Sequence, residues 1–284
     1  MTRKVITGAV MGGTTPGDDT IMDLQLNGKT AFISGSTQGI GYAIAEALLA
    51  EGASVIVNGR DATRVDTAVA SLREAAPGAD VSGLAADFGD AEQVTRLLES
   101  LGSVDILVNN VGLFEVKPFT EISDDDWQRY LEVNLMSSVR LSRHVLGSML
   151  ATGWGRIIFV GSESGVNVPA DMVHYGVTKA GALALANGLA KLTRGTEVTV
   201  NTILGGPTYS DGVAQTVGQI ARAQDLPEEA MKDSIIGQNA TTLLERFIEP
   251  AEIAHLAAYL ASPLSSATNG AAVRADGGVL TTML

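Results

Sequence analysis

Residues 30–41 read Thr30-Ala31-Phe32-Ile33-Ser34-Gly35-Ser36-Thr37-Gln38-Gly39-Ile40-Gly41, and this stretch decides the fold class of the 284-residue chain. Its first five residues form a short apolar run of the kind found in buried strands. Three glycines follow with Gly-x3-Gly-x-Gly spacing, and apolar residues recur at helical intervals over 39–51. The stretch therefore predicts a strand, a tight glycine-rich turn and a helix that begins in that turn.

The same alternation of apolar runs and helical patterns continues along the rest of the chain. Strands are predicted at 30–34, 54–58, 80–85, 104–109, 156–160, 198–203 and 272–274. Helices are predicted at 39–51, from about 61, at 90–101, about 124–151, about 173–193 and 250–262. Because the strands are apolar on both faces, helices must cover both sides of a parallel sheet. The predicted fold class is α/β, a single doubly wound parallel sheet of about seven strands with helices on both faces, of Rossmann type.

One domain is expected to span 23–284, after a poorly structured extension over 1–22. The long departure from the alternation is 205–249, which holds two helical patterns between the sixth strand and the helix at Pro250. Ligands bind at the carboxyl edge of open α/β sheets, and an insertion at that edge is placed to cover them. We therefore expect 205–249 to be a substrate lid. The alternative is a helical hairpin that packs on the domain without a ligand role.

The composition argues against several classes of protein. With 19 Lys and Arg against 32 Asp and Glu, the formal net charge is −13, so binding to nucleic acid phosphates is not expected. The chain has no cysteine, and its three histidines match no ligand spacing, so neither disulfides nor a metal site is expected. No apolar run reaches the roughly 18 residues that a membrane-spanning helix needs. The protein is therefore expected to be cytoplasmic, without membrane or nucleic acid partners.

The glycine-rich turn predicts binding of an anionic cofactor. Glycines allow the sharp turn and let the backbone approach a pyrophosphate, and the next helix offers free N–H groups and a positive dipole end. The spacing differs from the common Gly-x-Gly-x-x-Gly fingerprint, so the prediction depends on the position of the turn after the first strand. The residues expected to bind the cofactor here are Gly35, Ser36, Thr37, Gly39, Ile40 and Gly41.

The end of the second strand indicates which dinucleotide binds. An acidic residue there binds the ribose hydroxyls of NAD, whereas a basic one accommodates the 2′-phosphate of NADP. Arg60 occupies this place and favours NADP(H), with Asn58 and Ser36 as further donors, and NAD is the alternative. The acidic competitor, Asp61, precedes a helical pattern and suits a helix N-cap better. Asp87, after the third strand, is expected either to bind the adenine amino group or to cap its own loop.

Tyr175 and Lys179 form the candidate acid/base pair. They stand at i and i+4 of a predicted helix, so they share one face. A tyrosine with a pKa of about 10 is a poor proton carrier at neutral pH, and a neighbouring ammonium lowers that pKa by stabilising the phenolate. Ser162 ends the fifth predicted strand, where its hydroxyl can bond a substrate oxygen. Asn134 lies inside 124–151, where helix propensity alone does not favour an asparagine.

In this combination of segments the chain resembles the short-chain dehydrogenase/reductase family over residues 24–284. Gly35, Gly39 and Gly41 are similar to the cofactor glycines of that family. The run Asn109-Asn110-Val111-Gly112 resembles its Asn-Asn-Ala-Gly segment. The resemblance implies that Asn109 and Gly112 also help to bind the cofactor.

The resemblance extends to the catalytic residues of the family. Asn134, Ser162, Tyr175 and Lys179 match its tetrad in order and spacing. The match implies that Tyr175 transfers the proton and that Ser162 orients the carbonyl. It also implies that Lys179 lowers the tyrosine pKa and holds the cofactor ribose, while Asn134 supports a water-linked proton path.

Two places depart from the family pattern. After the sixth strand the family usually has Pro-Gly, whereas this chain has Gly205-Gly206-Pro207-Thr208, in which Gly206 is still expected to pass the nicotinamide. Glu163, beside Ser162, places an unusual charge at the substrate rim. A solvent-facing or salt-bridged glutamate is the favoured interpretation, and contact with the substrate is the alternative.

These observations predict an NADP(H)-dependent oxidoreductase that reduces a 3-oxoacyl-type or other small ketone to a secondary alcohol, or catalyses the reverse reaction. The alternatives are an NAD-dependent dehydrogenase of a polyol or hydroxysteroid, and a non-catalytic nucleotide-sensing protein. Small residues crowd the predicted helix 173–193. Together with the resemblance, they predict a homotetramer, or a homodimer, through helices 124–151 and 173–193, and the alternative is internal packing only.

Overall fold

The computed structural model describes residues 22–238 and 241–283 of the chain. In that part, one sheet contains β1 (Thr30–Ile33), β2 (Ser54–Gly59), β3 (Val81–Ala85), β4 (Ile106–Asn109), β5 (Trp154–Ser162), β6 (Glu197–Gly205) and β7 (Ala272–Ala275). All neighbouring strands pair in parallel, in the order β3-β2-β1-β4-β5-β6-β7. The predicted doubly wound parallel sheet of Rossmann type is confirmed. Of the expected N-terminal extension, residues 1–21 lie outside the described part.

Helices connect each strand to the next. Those of the described residues are α1 (Gly39–Ala50), α2 (Ala62–Ala75), α3 (Ala91–Leu101), α4 (Asp124–Tyr130), α5 (Ser137–Thr152), α6 (Val173–Leu192), α7 (Asp211–Ala223), α8 (Glu228–Gln238) and α9 (Pro250–Ala261). Their bounds agree with the predicted helices to within about two residues, except over 124–151. No helix in the described ranges is long and apolar enough to cross a membrane.

The strand residues alternate between two hydrophobic cores, one on each face of the sheet. Ala31 and Ile33 of β1 are fully buried in the core formed with α1, α2 and α9. Phe32, between them, is fully buried in the other core, formed with α3, α5 and α6. The two-residue period of a strand therefore fills both cores from one apolar run, as expected for a sheet covered on both sides.

The predicted helix over 124–151 is helical throughout, but it is not one regular α-helix. α4 ends at Tyr130, a π-helical turn follows over Leu131–Met136, and α5 starts at Ser137. α4 begins with a capping box, in which Ser123 and Asp126 bond each other's backbone N–H groups. The interruption holds Asn134, so this asparagine belongs to a π turn, a feature that is frequent at functional sites.

The strand order places a topological switch point between β1 and β4. β1 connects through α1 to β2 on one side, while β4 and the later strands lie on the other side. The loops that leave β1 and β4 in opposite directions open a crevice at the carboxyl edge of the sheet, where ligands bind in this fold.

The segment 205–249 contributes α7 and α8, which pack on each other beside this edge. Their shared apolar contacts involve Val217, Ala221 and Met231. The first turn of α7 lies against the glycine-rich turn that precedes α1. The space between them is small, since a Cβ placed on Gly39 would be 3.3 Å from the Ser210 Cβ. The N-terminal end of the segment is therefore part of the crevice.

Candidate functional site

The glycine-rich turn has no room for side chains, so its backbone is uncovered. Gly35 and Gly39 have φ values of +63° and +61°, a conformation that residues with a Cβ rarely adopt. A Cβ on Gly35 would be 3.1 Å from the Val111 Cα, and one on Gly41 would be 2.5 Å from the Gly35 oxygen. The turn thus presents main-chain atoms to the crevice, as a pyrophosphate requires.

The N-terminus of α1 behaves as an anion site. Its N-cap residue, Gln38, gives it no side-chain cap. The Gly39 N–H instead donates to the Asp211 Oδ2 of α7, over 2.6 Å. A carboxylate is thus held at the helix N-terminus, where the dipole and the free N–H groups favour negative charge. The residues present at this position fit a phosphate group.

Two cavities meet at the glycine-rich turn. The first, of about 540 Å³, extends from Gly35 towards Arg60 and Asp87, and the second, of about 260 Å³, extends from Gly35 towards Tyr175 and Lys179. Both are also lined by Gln38, Val111, Gly112 and Leu113. Together they form a continuous groove with a bare backbone turn at its centre, which fits an extended dinucleotide.

Three basic and three acidic side chains line the first cavity. The basic ones are Arg60, which is exposed, Arg64 and Arg129, and the acidic ones are Asp61, Asp87 and Asp90. The Arg64 guanidinium donates to the Gln38 Oε1. Sequence reasoning missed Arg64, although its place one helical turn after Arg60 is a usable signal. It also missed Arg129, which α4 brings from a distant part of the chain without any motif to mark it.

Ser36 and Asn58 have internal partners, so the expectation that they donate to a 2′-phosphate does not fit the structure. Ser36 is fully buried, and its hydroxyl donates to the Ile33 oxygen over 2.7 Å. Asn58 is 1% exposed, accepts from the Gly35 N–H and donates to the Leu84 oxygen. Both side chains therefore stabilise the conformation of the glycine-rich turn through these hydrogen bonds.

The two acidic residues near Arg60 cap backbone segments. Asp61 accepts the Arg64 N–H over 2.9 Å at the start of α2, which confirms the N-cap interpretation. Asp87 accepts the Gly89 N–H over 2.9 Å, the loop cap that was one of its two expected roles. Asp87 also lines the first cavity, so the loop cap places its carboxylate beside the expected adenine site.

Asn109 and Gly206 have surroundings that differ from the expected cofactor contact. Asn109 is 7% exposed, and its amide donates to the Ser142 hydroxyl beneath the sheet edge. Its neighbour Asn110 lines the second cavity and donates to the Gly35 oxygen. A Cβ on Gly206 would be 2.5 Å from the Asp276 oxygen, so the approach of that loop explains the glycine.

Tyr175 and Lys179 lie side by side in the second cavity, one turn apart on α6. The Lys179 Nζ is 5.6 Å from the centre of the Tyr175 ring and donates to the Val160 oxygen over 2.9 Å. Val160 belongs to β5, so the lysine joins the helix to the sheet immediately below the cavity. The predicted acid/base pair is therefore brought together at the carboxyl edge of the sheet.

The titration of this pair is governed by burial. Burial raises the pKa of Tyr175 to about 12, the Ser162 hydroxyl opposes this, and the charge of Glu163 adds to it. Burial lowers the pKa of Lys179 to about 8. Burial of the phenolate is the largest influence on the Tyr175 pKa, and the expected lowering by Lys179 stays a prediction. The phenol keeps its proton at neutral pH.

Ser162 and Glu163 are hydrogen-bonded to each other at the end of β5. The Ser162 Oγ donates to the Glu163 Oε2 over 3.0 Å and accepts the Ser164 N–H over 3.1 Å. Burial raises the pKa of Glu163, and the nearby charge of Asp276 acts in the same direction. A solvent-facing or salt-bridged glutamate was therefore the wrong interpretation, since Glu163 turns inward to the serine.

Asn134, in the π turn, is buried behind Leu113, which lines both cavities. Its Oδ1 accepts the Leu113 N–H over 2.7 Å, and its amide donates to the Leu113 oxygen and the Thr178 hydroxyl. A Cβ on Gly112 would be 3.6 Å from the Lys179 Nζ and 3.8 Å from the Asn134 Oδ1. Gly112 thus separates these two side chains, and all four predicted catalytic residues belong to one site.

Comparisons with known proteins agree with this geometry. A family model described as short chain dehydrogenase matches residues 29–220. The uncharacterized oxidoreductase YvaG of Bacillus subtilis is 43% identical over 260 residues, which are 91% of this chain and 98% of that relative. D-beta-hydroxybutyrate dehydrogenase of Cupriavidus necator is 34% identical over 258 residues, with 89% and 98% covered. L-sorbose reductase from Gluconobacter frateurii, solved with NADPH and L-sorbose, is 33% identical with a TM-score of 0.87, and 92% of this chain and 100% of that chain are covered.

Proposed function

The chain belongs to the short-chain dehydrogenase/reductase family, and from this premise we propose that it reduces a small ketone to a secondary alcohol with NADPH. Membership makes it an NAD(P)-dependent oxidoreductase that acts on CH–OH and C=O groups. One observation carries the proposal. Tyr175 and Lys179 line the same cavity as the glycine-rich turn, so a bound dinucleotide and a proton donor share one space.

The residues of the site divide the reaction between them. NADPH, when bound, supplies the hydride that the carbonyl carbon takes up. Tyr175 gives the carbonyl oxygen its proton, becomes a phenolate and is then reprotonated from solvent. Ser162, beside the phenol, orients the carbonyl oxygen. Lys179, with a pKa of about 8, is mostly cationic at neutral pH, so it offsets the phenolate charge and is placed to hold the ribose.

Tyr175 is in the protonation state that reduction requires. A phenol with a pKa of about 12 is protonated at neutral pH. Reduction needs a proton donor at this place, whereas oxidation of an alcohol needs a phenolate. The protonated phenol is therefore ready for reduction without a prior ionisation step.

NADPH is favoured over NADH by the charges of the first cavity. Arg60 and Arg64 stand one turn apart at its rim, and planar guanidinium groups bind phosphate through paired hydrogen bonds. The acidic Asp61 is engaged in capping α2. The structural neighbour from Gluconobacter frateurii, solved with NADPH, supports the same choice.

Two ketone classes are candidates for the substrate. D-beta-hydroxybutyrate dehydrogenase names a 3-hydroxy acid, the alcohol that corresponds to a 3-oxo group, and L-sorbose reductase names a ketose. A non-catalytic nucleotide sensor is the function from another class. It is disfavoured because a sensor has no need of a tyrosine and a lysine inside the cofactor groove.

We also propose that the protein assembles as a homotetramer through α5 and α6. α6 carries small residues on several faces, which allow a second backbone to approach closely; they are Gly176, Ala180, Gly181, Ala182, Ala184, Ala186, Gly188 and Ala190. It also exposes Val177 and Leu192. Light scattering tests this assembly, and a monomer at micromolar concentration would contradict it.

Steady-state kinetics test the function. NADPH oxidation is followed with acetoacetate, a 3-oxoacyl thioester and L-sorbose, and each is repeated with NADH and with Tyr175→Phe as control. We expect turnover with at least one ketone, a preference for NADPH, and almost no turnover in the control. A wild type that binds NADPH but oxidises it with none of these ketones would favour the sensor.

A further inference from the structure

The single hydrogen of the Ser162 hydroxyl is already engaged in the structure. A serine hydroxyl has one hydrogen to donate and two lone pairs that accept. The hydrogen goes to the Glu163 Oε2 over 3.0 Å, and one lone pair takes the Ser164 N–H. The Tyr175 phenol also contacts Ser162 and competes for the same hydrogen, because this contact lowers the pKa of Tyr175.

This arrangement conflicts with the role of Ser162 in reduction. A ketone oxygen only accepts hydrogen bonds, so Ser162 must donate its single hydrogen to orient it. An ionised Glu163 has no hydrogen of its own and keeps that of Ser162. A protonated Glu163 reverses the bond, because its O–H donates to the Ser162 Oγ. The second lone pair of Ser162 accepts this bond, so the Ser162 hydrogen is released for the substrate oxygen.

We propose that Glu163 is a positioning residue whose proton decides whether Ser162 can donate to the substrate oxygen. The inference rests on the proposed ketone reduction. Glu163 does not itself contact the reacting atoms in this account, and it acts through Ser162.

The surroundings of Glu163 shift its equilibrium towards the protonated form. Tyr175 faces it from α6, and Asp276 faces it from the loop after β7. Lys179 donates to the Val160 oxygen, and the Asp276 carboxylate is bound by Arg274 and by backbone N–H groups. In the described part of the chain, no lysine or arginine forms a salt bridge with Glu163. Burial and the nearby carboxylate both raise its pKa.

The inference predicts a specific pH profile. As the pH rises through the pKa of Glu163, its carboxylate captures the Ser162 hydrogen, so kcat/KM for ketone reduction falls. The loss reaches roughly 10²-fold, which is typical of removing one donor to a reacting oxygen. In Glu163→Gln the amide NH2 donates to Ser162 at every pH, so this fall is absent, and Glu163→Ala removes it by removing the partner. A separate fall from deprotonation of Lys179, whose pKa is about 8, is common to all three proteins and cancels in the ratio of variant to wild type.

Two measurements on the full chain test the inference. The first is kcat/KM for ketone reduction between about pH 5 and 9 in the wild type, Glu163→Gln and Glu163→Ala. The second needs no turnover: phenolate absorbance is titrated in the wild type and in Glu163→Gln, each against its Tyr175→Phe counterpart. Because Glu163 raises the pKa of Tyr175, we expect Tyr175 to ionise at lower pH in Glu163→Gln.

The outcomes separate the inference from the proposed function. Loss of the alkaline fall in Glu163→Gln together with the earlier Tyr175 ionisation supports the inference. The same fall in Glu163→Gln as in the wild type, or an unchanged Tyr175 titration, overturns it. A wild type without turnover contradicts the proposed function instead, and the phenolate titration then decides the inference alone.

Discussion

The contact between Asp211 and Gly39 leads to a counterintuitive prediction: removal of a charge from α7 tightens cofactor binding. The Asp211 carboxylate holds the Gly39 N–H over 2.6 Å, at the helix N-terminus that fits a phosphate. One N–H cannot serve both anions fully, and the two negative charges repel. NADPH must therefore displace Asp211 when it binds.

The size of the effect follows from the contact. A hydrogen bond to a charged group contributes about 1.5–3 kcal/mol, and a neutral one about 0.5–1.5 kcal/mol. Because the contact is exposed, the lower ends apply, and the difference between Asp and Asn is about 1 kcal/mol. Asp211→Asn is then expected to bind NADPH about fivefold more tightly, since 1.4 kcal/mol corresponds to about tenfold.

Calorimetric titration with NADPH at fixed ionic strength measures this change. Asp233→Asn is the matched control, because it removes the same charge from the exposed surface of α8. The control is expected to leave the affinity near that of the wild type. Equal or weaker NADPH binding by Asp211→Asn would show that the carboxylate does not compete with the cofactor phosphate.

Three further predictions concern cofactor choice, the catalytic lysine and acid stability. Arg60→Asp is expected to raise the KM for NADPH strongly while NADH use is unchanged or improved, and a wild type that prefers NADH tenfold in kcat/KM would refute this. Lys179→Ala is expected to weaken NADPH binding and to lower kcat, because the ammonium is proposed both to hold the ribose and to offset the phenolate charge. A change in only one of these two quantities would contradict the double role. His174 is fully buried, its ring nitrogens have no hydrogen-bond partner among the described residues, and burial lowers its pKa from 6.5. Its stabilising effect is therefore lost as the pH falls below that unfolded-state value. His174→Phe is then expected to lose less unfolding free energy than the wild type between about pH 8 and pH 5 in urea titrations, and equal losses would count against it.

The sheet and the proximity of the candidate catalytic residues were predictable because local patterns encode them. An apolar run followed by spaced glycines identifies β1 and its turn, and the i, i+4 spacing identifies Tyr175 and Lys179 as neighbours on α6. Each of these patterns lies within a few residues of sequence. Strand order then brings the carboxyl ends together without further information from side chains.

The remaining features depend on contacts between distant segments. Asp211 meets Gly39 across 172 residues, and Arg129 reaches the first cavity from α4, so no local pattern marks either. The inward turn of Glu163 depends on the space left beside Ser162, which spacing does not reveal. For the same reason Asn58, predicted as a phosphate donor, is bonded to Gly35 below the turn. Residue type identified these side chains as polar, whereas the packing of distant segments determined which groups they contact.

The most direct test of Tyr175 as the proton donor compares NADPH binding with ketone reduction in Tyr175→Phe. The substitution keeps the ring and removes the proton, so NADPH affinity should stay within a few-fold of the wild type. Ketone reduction in the same preparation should fall by roughly 10²–10⁴-fold, the range for loss of a general acid. A variant that binds NADPH normally and keeps more than about a tenth of the wild-type rate would show that another group supplies the proton.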